Sequence, residues 1–245
     1  MSDFIYGRHA ILEGLRANQQ IDEILVAMGV HSRGALTELL ALAKTENVPV
    51  RGVSREELDR IARNHQGVVA RIGEFRYAQI EDLLAVAQER GEPAFLLMLD
   101  SVQDPQNFGT LLRTAEAVGV HGVIIAERRA VGVTAAVVKA SAGAVNHLKI
   151  ARVTNLARTI ETLKRENVWV AGIENVPEAK DYSHMDFKMA LALVLGSEGE
   201  GLSRLVREKC DFLVKLPMWG KVGSLNVAVA GSVILYAAKG QRAEK

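Results

Sequence analysis

The sequence is poor in cysteine and proline. Cys210 is the single cysteine in 245 residues, and there are five prolines. One thiol cannot form an internal disulfide and cannot by itself supply the thiolates of a zinc site. We therefore exclude a disulfide-stabilised secreted domain and expect the protein in a reducing compartment, the cytoplasm. The low proline content excludes a Pro-rich or collagen-like chain.

Long hydrophobic runs and a strong charge bias are also missing. The longest apolar runs, such as AFLLML and LALVL, fall well short of the roughly 20 residues that span a bilayer. The first residues, MSDFIYGRHAILEGL, are too polar for a secretory signal. We expect a soluble protein without a membrane partner. The net charge of +1 divides into −3 for residues 1–94 and +4 for residues 95–245, a mild basic excess in the C-terminal part.

Several familiar catalytic motifs do not occur. The chain lacks GxxxxGK[ST], HExxH, paired cysteines, GxSxG and a GxGxxG turn directly after a strand. Alternating strands and helices would suit a nicotinamide-dependent oxidoreductase, but its glycine fingerprint is absent. The histidines are scattered without ligand spacing, so we expect structural roles and no metal. They are His9, His31, His65, His121, His147 and His184.

The sequence pattern predicts two domains and a connecting segment. Residues 1–73 combine short helices and strands, and Ser54 followed by Glu57 is typical of a capping box at a helix start. Residues 74–93 hold one amphipathic helix between polar ends, as a linker often does. Residues 94–245 then form the second domain.

In residues 94–245, near-continuous apolar strands alternate with amphipathic helices. This alternation predicts an α/β domain, a mostly parallel sheet with helices on both faces, whose ligand crevice lies beyond the carboxyl ends of the strands. The predicted strands are AFLLMLD, GVIIA, LKIARV, VWVAGI and LALVLG, and the helices are TLLRTAEAVG, NLARTIETLKREN, LSRLVREK and LNVAVAGSVILYAAK.

The loop and helix at residues 100–120 carry the first candidate site residues. Asn107 is placed to cap the helix that follows the loop. Arg113 lies on the polar side of that helix, and its planar cation suits a phosphate or an oxyanion. The alternative is a surface arginine that is solvated or paired with Glu116.

Two further loops carry glycine and polar residues. Residues 195–203, LGSEGEGLS, allow close backbone approach to a ligand, and Glu198 beside Glu200 favours a ligand with hydroxyls or positive charge over a phosphate. The alternative is an acidic turn at a helix start. In residues 216–232, Ser224 and Asn226 come just before a predicted helix. Backbone N–H groups at such a helix start can bind an acceptor-rich ligand. The alternative is that Ser224 is an ordinary N-cap. The small residues of that helix suit either core packing or a dimer contact.

Together, the segments NFGTLLRTAEAVGV, LVLGSEGEGL and LPMWGKVGSLNVAVAGSVILY resemble the three ordered motifs of the SpoU (TrmH-type) RNA ribose 2′-O-methyltransferases. This resemblance spans residues 95–245. The segments FIYGRHAILEGL and HQGVVARI resemble the small substrate-binding domain of the subgroup that methylates a guanosine in large-subunit (23S) ribosomal RNA.

The resemblance implies a C-terminal SPOUT domain whose chain forms a deep trefoil knot, an exception to the usual unknotted topology. It implies S-adenosylmethionine held largely by backbone groups in the knot, and a homodimer that completes each site across its interface. It also implies a ribosomal-protein-type RNA-binding fold for the N-terminal domain, although the acidic balance of that domain departs from a strong RNA binder.

Site residues are carried over from the matching motif positions. The implied cofactor-binding residues are Gly196, Leu216, Ser224, Leu225 and Asn226. The implied catalytic residues are Asn107, Arg113 and Glu198. Because a guanidinium stays protonated, we expect Arg113 to anchor a phosphate and stabilise oxyanion charge, and Glu198 to position the substrate or accept its proton.

Two alternatives to this function stay open. The same chemistry on transfer RNA or at another ribosomal RNA site would use the same motifs. A non-catalytic RNA-binding or ribosome-assembly protein could retain the fold, although all three motifs keep their polar residues.

Overall fold

The structure is a computed structural model, which describes residues 3–17, 20–30, 33–73 and 75–243. His31, one of the histidines expected to be structural, lies outside these residues. The chain divides into two compact units. The first contains residues up to Arg76 together with Val133–His147, and the second contains Tyr77–Gly132 together with the chain from Leu148 onward.

Strands and helices alternate along most of the chain. The strands are β1 (Asp3–Tyr6), β2 (Ile21–Ala27), β3 (Val50–Val53), β4 (Val68–Ile72), β5 (Phe95–Leu99), β6 (Gly122–Ala126), β7 (Ile150–Val153), β8 (Trp169–Ile173), β9 (Lys180–Asp181), β10 (Leu191–Leu195) and β11 (Phe212–Lys215). The helices are α1 (Arg8–Arg16), α2 (Ala35–Thr45), α3 (Arg55–Ile61), α4 (Ile80–Arg90), α5 (Pro105–Ala117), α6 (Ala135–Ala140), α7 (Leu156–Arg165), α8 (Arg204–Lys209) and α9 (Val227–Ala243).

The first unit is built on a sheet of strand order β1-β4-β2-β3. β4 pairs antiparallel with β1 and β2, whereas β3 is parallel to β2. Ser54 caps α3, because its side chain accepts a hydrogen bond of 3.2 Å from the Glu57 backbone N–H. This is the first of the two bonds of the predicted capping box, and the Glu57 carboxylate accepts from Arg51 over 3.3 Å. The buried core on one side of this sheet consists of Leu25, Ala27, Val53, Leu58 and Val69.

His65 has a structural role in the first unit. The side chain is 3% exposed, and its Nδ1 accepts a hydrogen bond of 2.9 Å from the Gly67 N–H. Its Nε2 therefore carries the proton and lies 3.1 Å from the Asp59 carboxylate. Both ring nitrogens are satisfied within the protein, as expected for a histidine that binds no metal.

α6 comes from the middle of the chain but belongs to the first unit. The Lys139 ammonium lies 5.1 Å from the Tyr6 ring centroid and donates to the Tyr6 hydroxyl over 3.4 Å. From the sequence, this segment was predicted to lie in the second domain, and no helix was predicted there. The periodicity of the segment is too short to indicate a helix, and its distant partner on β1 is not visible in local sequence.

The segment predicted as a linker, residues 74–93, contains a helix of the second unit. Leu83 on α4 is fully buried and packs against Gly122, where an added Cβ would lie 2.1 Å from the leucine Cγ. The amphipathic face of α4 thus covers one face of the second sheet. The predicted limits of 1–73, 74–93 and 94–245 stay a prediction, and the packing groups the chain differently.

The second unit contains a sheet of strand order β7-β6-β5-β10-β8-β11-β9, with every described pair parallel. All residues of β5 and β10 are buried, which explains their continuous apolar sequences. Leu195, the last residue of β10, pairs with Leu99 on β5 and Ile173 on β8. The loops after these three strands therefore leave the sheet at one level, and the predicted α/β fold class is confirmed.

Two helix starts differ from the prediction. α5 begins at Pro105 and is capped by Asp104, whose carboxylate accepts from the N–H groups of Gln106 and Asn107 over 2.6 and 2.9 Å. Asn107 is thus in the first turn and is not the cap. α9 is capped by Asn226, whose Oδ1 accepts from the N–H groups of the second and third helical residues over 2.9 and 3.2 Å. Ser224 lies before this cap, so the N-cap alternative for Ser224 is wrong.

His121 has a buried and fully satisfied imidazole in the second unit. Its Nδ1 accepts a hydrogen bond of 2.9 Å from the Phe95 N–H, and its Nε2 lies 3.1 Å from the Glu92 carboxylate. Burial lowers the pKa of His121, and the hydrogen bond to Glu92 offsets part of that shift. Protonation of Nδ1 would also place two N–H groups against each other.

We predict that this histidine makes the second unit less stable in mild acid. Below the ordinary histidine pKa of about 6.5, His121 binds a proton in the unfolded chain, whereas in the folded state its lowered pKa keeps it neutral to a lower pH. The free energy of unfolding should therefore fall as the pH decreases from neutral through the folded pKa, by at most about 1.4 kcal/mol per pH unit for this one group. Denaturant unfolding at several pH values measures the slope.

The matched variants are His121→Gln, which keeps an acceptor but cannot titrate, and His9→Gln, which removes an exposed imidazole. The first should flatten the pH dependence more than the second. Equal slopes in both variants would refute the role of His121.

Candidate functional site

A cavity of about 500 Å³ opens at the carboxyl ends of β8, β10 and β11. This size lies in the range of small-molecule sites, about 300–1,000 Å³. Its wall is formed by the loops that follow these three strands and by the first turn of α9. The predicted site residues on the wall are Gly196, Glu198, Leu216, Ser224, Leu225 and Asn226.

Three side chains, one from the first turn of α5, one from the loop after β10 and one from the cap of α9, form one hydrogen-bonded group at this cavity. The Asn107 Nδ2 donates to the Glu198 Oε1 over 3.1 Å, and the Asn226 Nδ2 donates to the Asn107 Oδ1 over 3.0 Å. Asn226 also donates to the same Glu198 oxygen. We call Asn107, Glu198 and Asn226 the polar triad. Through it, the three loops selected from the sequence meet in space.

The loop after β10 doubles back on itself. The Ser197 N–H donates to the Gly201 carbonyl over 3.0 Å, and the Gly201 N–H returns a bond of 3.1 Å to the Ser197 carbonyl. A Cβ on Gly196 would lie 2.1 Å from the Gly201 carbonyl carbon. Gly199 and Gly201 have φ angles of 89° and 68°, where glycine has no steric penalty. Glycine is thus required for the loop to present Glu198 at the cavity.

Asp100 holds the far end of this loop. The side chain lies just after β5 and is 5% exposed. Its carboxylate accepts from the Ser203 N–H over 2.7 Å and from the Ser101 hydroxyl over 3.2 Å. The loop is therefore attached to β5 at one end and to the polar triad in its middle. Asp100 is not among the site residues predicted from the sequence.

Polar cavity residues outside the three predicted loops were missed, among them Lys215 at the end of β11 and two residues after β8. Glu174 and Asn175 directly follow β8, and their position after a buried parallel strand was the available signal. The Asn175 Nδ2 donates to the Gly223 carbonyl over 2.8 Å, which supports the loop before α9. The Glu174 carboxylate lies 3.3 Å from the Arg207 Nε on α8.

Arg113 is the predicted site residue that lies apart from the cavity. It is exposed on α5 and does not line the cavity wall. Within the described part of the chain it makes neither a hydrogen bond nor an ion pair, so the alternative pairing with Glu116 is not formed. α5 packs against α9, with the Thr114 and Ser232 hydroxyl oxygens 2.8 Å apart. Arg113 thus presents a free cation beside the helix that carries Asn226.

Cys210 does not supply a nucleophile. Burial raises the pKa of its thiol to about 12, and its Sγ donates to the Val206 carbonyl over 3.3 Å.

The described residues contain no group of three or more metal-ligating side chains. No helix among them is long and apolar enough to cross a membrane.

Comparison with known families assigns both parts of the chain. Residues 94–236 match the SpoU rRNA Methylase family, and residues 4–78 match the domain family described as RNA 2′-O ribose methyltransferase substrate binding. The first match covers more than half of the chain. The protein therefore belongs to the SpoU family of RNA methyltransferases.

Individual relatives extend over nearly the whole chain. YacO of Bacillus subtilis is 45% identical to this sequence, and the alignment covers 96% of this chain and 94% of YacO. The name of YacO places it in the TrmH family of tRNA/rRNA methyltransferases. The AdoMet-bound rRNA methyltransferase from Sinorhizobium meliloti is 25% identical and covers 97% of this chain and 87% of its own, with a TM-score of 0.79. The SpoU methyltransferase AviRb from Streptomyces viridochromogenes, solved with AdoMet, has the same fold, with 24% identity, 99% and 91% coverage and a TM-score of 0.82.

We predict that Gly196→Ala destabilises the second unit. The new Cβ would overlap the Gly201 backbone, so the doubled-back loop must move. Overpacking of this kind costs roughly 1–3 kcal/mol in the free energy of unfolding. Gly220→Ala is the control, because nothing lies within 4 Å of its added Cβ. Thermal unfolding that shows both variants equal to the parent would contradict the close approach.

Proposed function

We propose that this protein transfers the methyl group of S-adenosylmethionine to the ribose 2′-hydroxyl of a guanosine in large-subunit (23S) ribosomal RNA. The observation that carries this proposal is the polar triad, which joins three loops at one cavity in a member of the SpoU family. The protein would act in the cytoplasm, as a homodimer, without a metal ion.

The cavity suits the cofactor that its solved relatives bind. Leu216 and Leu225 offer apolar surface, while the backbone of Gly196 and Ser224 offers hydrogen-bonding groups. The carboxylate of Glu198 matches a ligand that carries hydroxyls and a positive charge. S-adenosylmethionine has both, and when bound it supplies a methyl group on a positively charged sulfur.

Glu198 is oriented for contact with the ribose. Its Oε1 accepts from both amides of the polar triad, which holds the carboxylate in place. Its Oε2 receives no hydrogen bond from the described residues. We therefore assign this oxygen to accept the hydrogen bond of the 2′-hydroxyl, which aligns the attacking oxygen.

Arg113 supplies charge and does not act as a base. Its guanidinium stays protonated, so it can anchor the phosphate beside the target ribose and stabilise the oxygen as its proton leaves. Because Arg113 lies outside the cavity of its own chain, we assign it to the cavity of the second subunit in the dimer. Its exposure and its lack of a carboxylate partner in the described chain support this role.

An apolar stripe along α9 supports the dimer. Val229, Val233 and Tyr236 recur at helical spacing on α9, and Leu225 lies just before the helix; the four side chains are 41–60% exposed. Apolar patches of this kind on a single chain mark interaction surfaces. Leu225 belongs both to the stripe and to the cavity wall, so a second copy seated on the stripe would also cover the rim of the cavity.

The N-terminal unit favours ribosomal RNA. Residues 4–78 match a substrate-binding domain, and the relatives that align over nearly the full chain include a solved rRNA methyltransferase. Transfer RNA is the second candidate, since the name of the curated relative includes it.

We expect that the protein incubated with labelled S-adenosylmethionine and total bacterial RNA transfers label to large-subunit ribosomal RNA. Mapping should locate the label on the ribose of one guanosine. Label on transfer RNA would favour the second candidate. Uptake of the cofactor without transfer to any RNA would favour a non-catalytic RNA-binding protein and overturn the proposal.

We predict that Arg113→Ala reduces turnover by at least about 100-fold, the size of a lost oxyanion-stabilising donor. Affinity for S-adenosylmethionine should stay unchanged, because the contacts assigned to Arg113 are with the RNA phosphate and the attacking oxygen, not with the cofactor. Arg204→Ala removes another exposed arginine, on α8, as the control. Single-turnover kinetics and calorimetric titration measure the two effects. Turnover equal to that of the control would remove Arg113 from the chemistry.

We predict that Val229→Asp combined with Val233→Asp gives a monomer. Two carboxylates on the stripe would be desolvated by a second copy, at a cost of several kcal/mol. Light scattering measures the mass. Turnover should fall with the dimer, because each site would lose Arg113 of the partner subunit. A variant that stays dimeric would place the interface elsewhere.

A further inference from the structure

Three arginines of the second unit lie near the carboxyl ends of β6 and β7, at the same edge of the parallel sheet as the cavity, and take no part in the site described above. Arg128 and Arg129 follow the carboxyl end of β6, and Arg152 is on the adjacent strand β7. All three are exposed. Ala126 pairs with Val153, so the two strands end at one level. Arg152 lies one residue before that level, and Arg128 and Arg129 lie two and three residues after it.

The loop that carries Arg128 and Arg129 is held in a defined shape. Its Val131 N–H donates to the Val102 carbonyl over 3.0 Å, which connects it to the loop before α5. Arg129 has a φ of 58°, a left-handed conformation that non-glycine residues rarely adopt. Such strain persists only where the surrounding structure imposes it, and it concentrates at functional sites.

Arg152 is oriented by an aromatic ring. Its guanidinium lies 4.5 Å from the Tyr77 ring centroid. The Tyr77 hydroxyl in turn lies against Gly132, where an added Cβ would come within 2.9 Å of it. The same ring therefore contacts both the guanidinium on β7 and the end of the loop that carries Arg128 and Arg129.

The charge of this group is not neutralised within the described chain. Arg128 and Arg129 form neither an ion pair nor a hydrogen bond there, although Glu127 precedes them. By contrast, Lys164 on α7 is paired with Asp211 and Arg204 on α8 with Glu208, each at 2.8 Å. The positive end of the α7 dipole also lies at this edge of the sheet, after β7.

We propose that Arg128, Arg129 and Arg152 bind the backbone phosphates of the RNA strand that flanks the target nucleotide. The proposal rests on the proposed function, because it takes the reaction to occur at the polar triad. β6 lies two strands from β10, about 10 Å at the usual strand spacing. A strand seated with its ribose at Glu198 therefore reaches the arginines within a few nucleotides, and Arg–phosphate contacts fix its register.

The test uses the variant Arg128→Gln with Arg129→Asn, since asparagine tolerates the positive φ at residue 129. The probe is a short fluorescein-labelled single-stranded RNA, titrated with the full-length protein over a range of KCl concentrations. We expect affinity to fall about tenfold near physiological salt, and the slope of log affinity against log salt to become shallower by about 1.4. Arg128→Lys with Arg129→Lys should retain the slope.

The matched control is Arg204→Gln with Lys209→Gln, which removes two paired cations of α8. It should leave the slope unchanged. An equal change in this control and in the test variant would show a general charge effect and overturn the proposal, as would an unchanged slope in the test variant. If the test variant loses affinity for an acidic protein but keeps the parent affinity for RNA, the RNA assignment is also overturned.

Failure of this inference is distinct from failure of the proposed function. Cofactor affinity, measured by calorimetry, should be equal in all variants, which shows that they are folded. A parent protein that methylates RNA while the test variant retains the parent affinity and slope refutes the phosphate contacts alone. A parent protein that methylates no RNA refutes the function, whatever the variants bind.

Discussion

The parallel pairing of β10 between β5 and β8 is the constraint on which the site depends. Because Leu195 is level with Leu99 and Ile173, three loops leave the sheet at one height and at strand spacing. Polar side chains from segments more than 90 residues apart in the chain then come within hydrogen-bonding distance, as Asn107 and Glu198 do. A shift in this register would separate them.

The site combines hydrogen bonds among the side chains of the polar triad with close backbone packing at Gly196. Glu198 is stabilised by two amide donors, and Asn226 contributes one of them while its oxygen caps α9. This arrangement is possible only because Gly196 lets the chain pass directly over the Gly201 backbone. The glycines thus have a geometric role, while the polar triad has a chemical one. One cation, Lys215, lies on the cavity wall, and the exposed arginines of α5, of β7 and of the loop after β6 lie outside it.

Much of the fold was predictable, because buried parallel strands have continuous apolar sequences and amphipathic helices repeat every three to four residues. Short elements were not. β9 and β11 lie at or next to the edge of the sheet, are only a few residues long and carry charged residues, so they resemble loop sequence. α4 was predicted as a helix, yet its burial against Gly122 depends on a strand more than 30 residues away. The family assignment rested on the three motifs, and the comparisons support it.

The sequence by itself determined the fold class, the three loops and their polar residues, since local periodicity and residue chemistry are properties of short segments. Only the tertiary structure decided which polar atoms are hydrogen-bonded to each other and which side chain caps each helix. It also decided that Arg113 lies outside the cavity of its own chain. Those outcomes depend on distances between segments far apart in sequence, and such distances are set by the packing of the whole sheet and its helices.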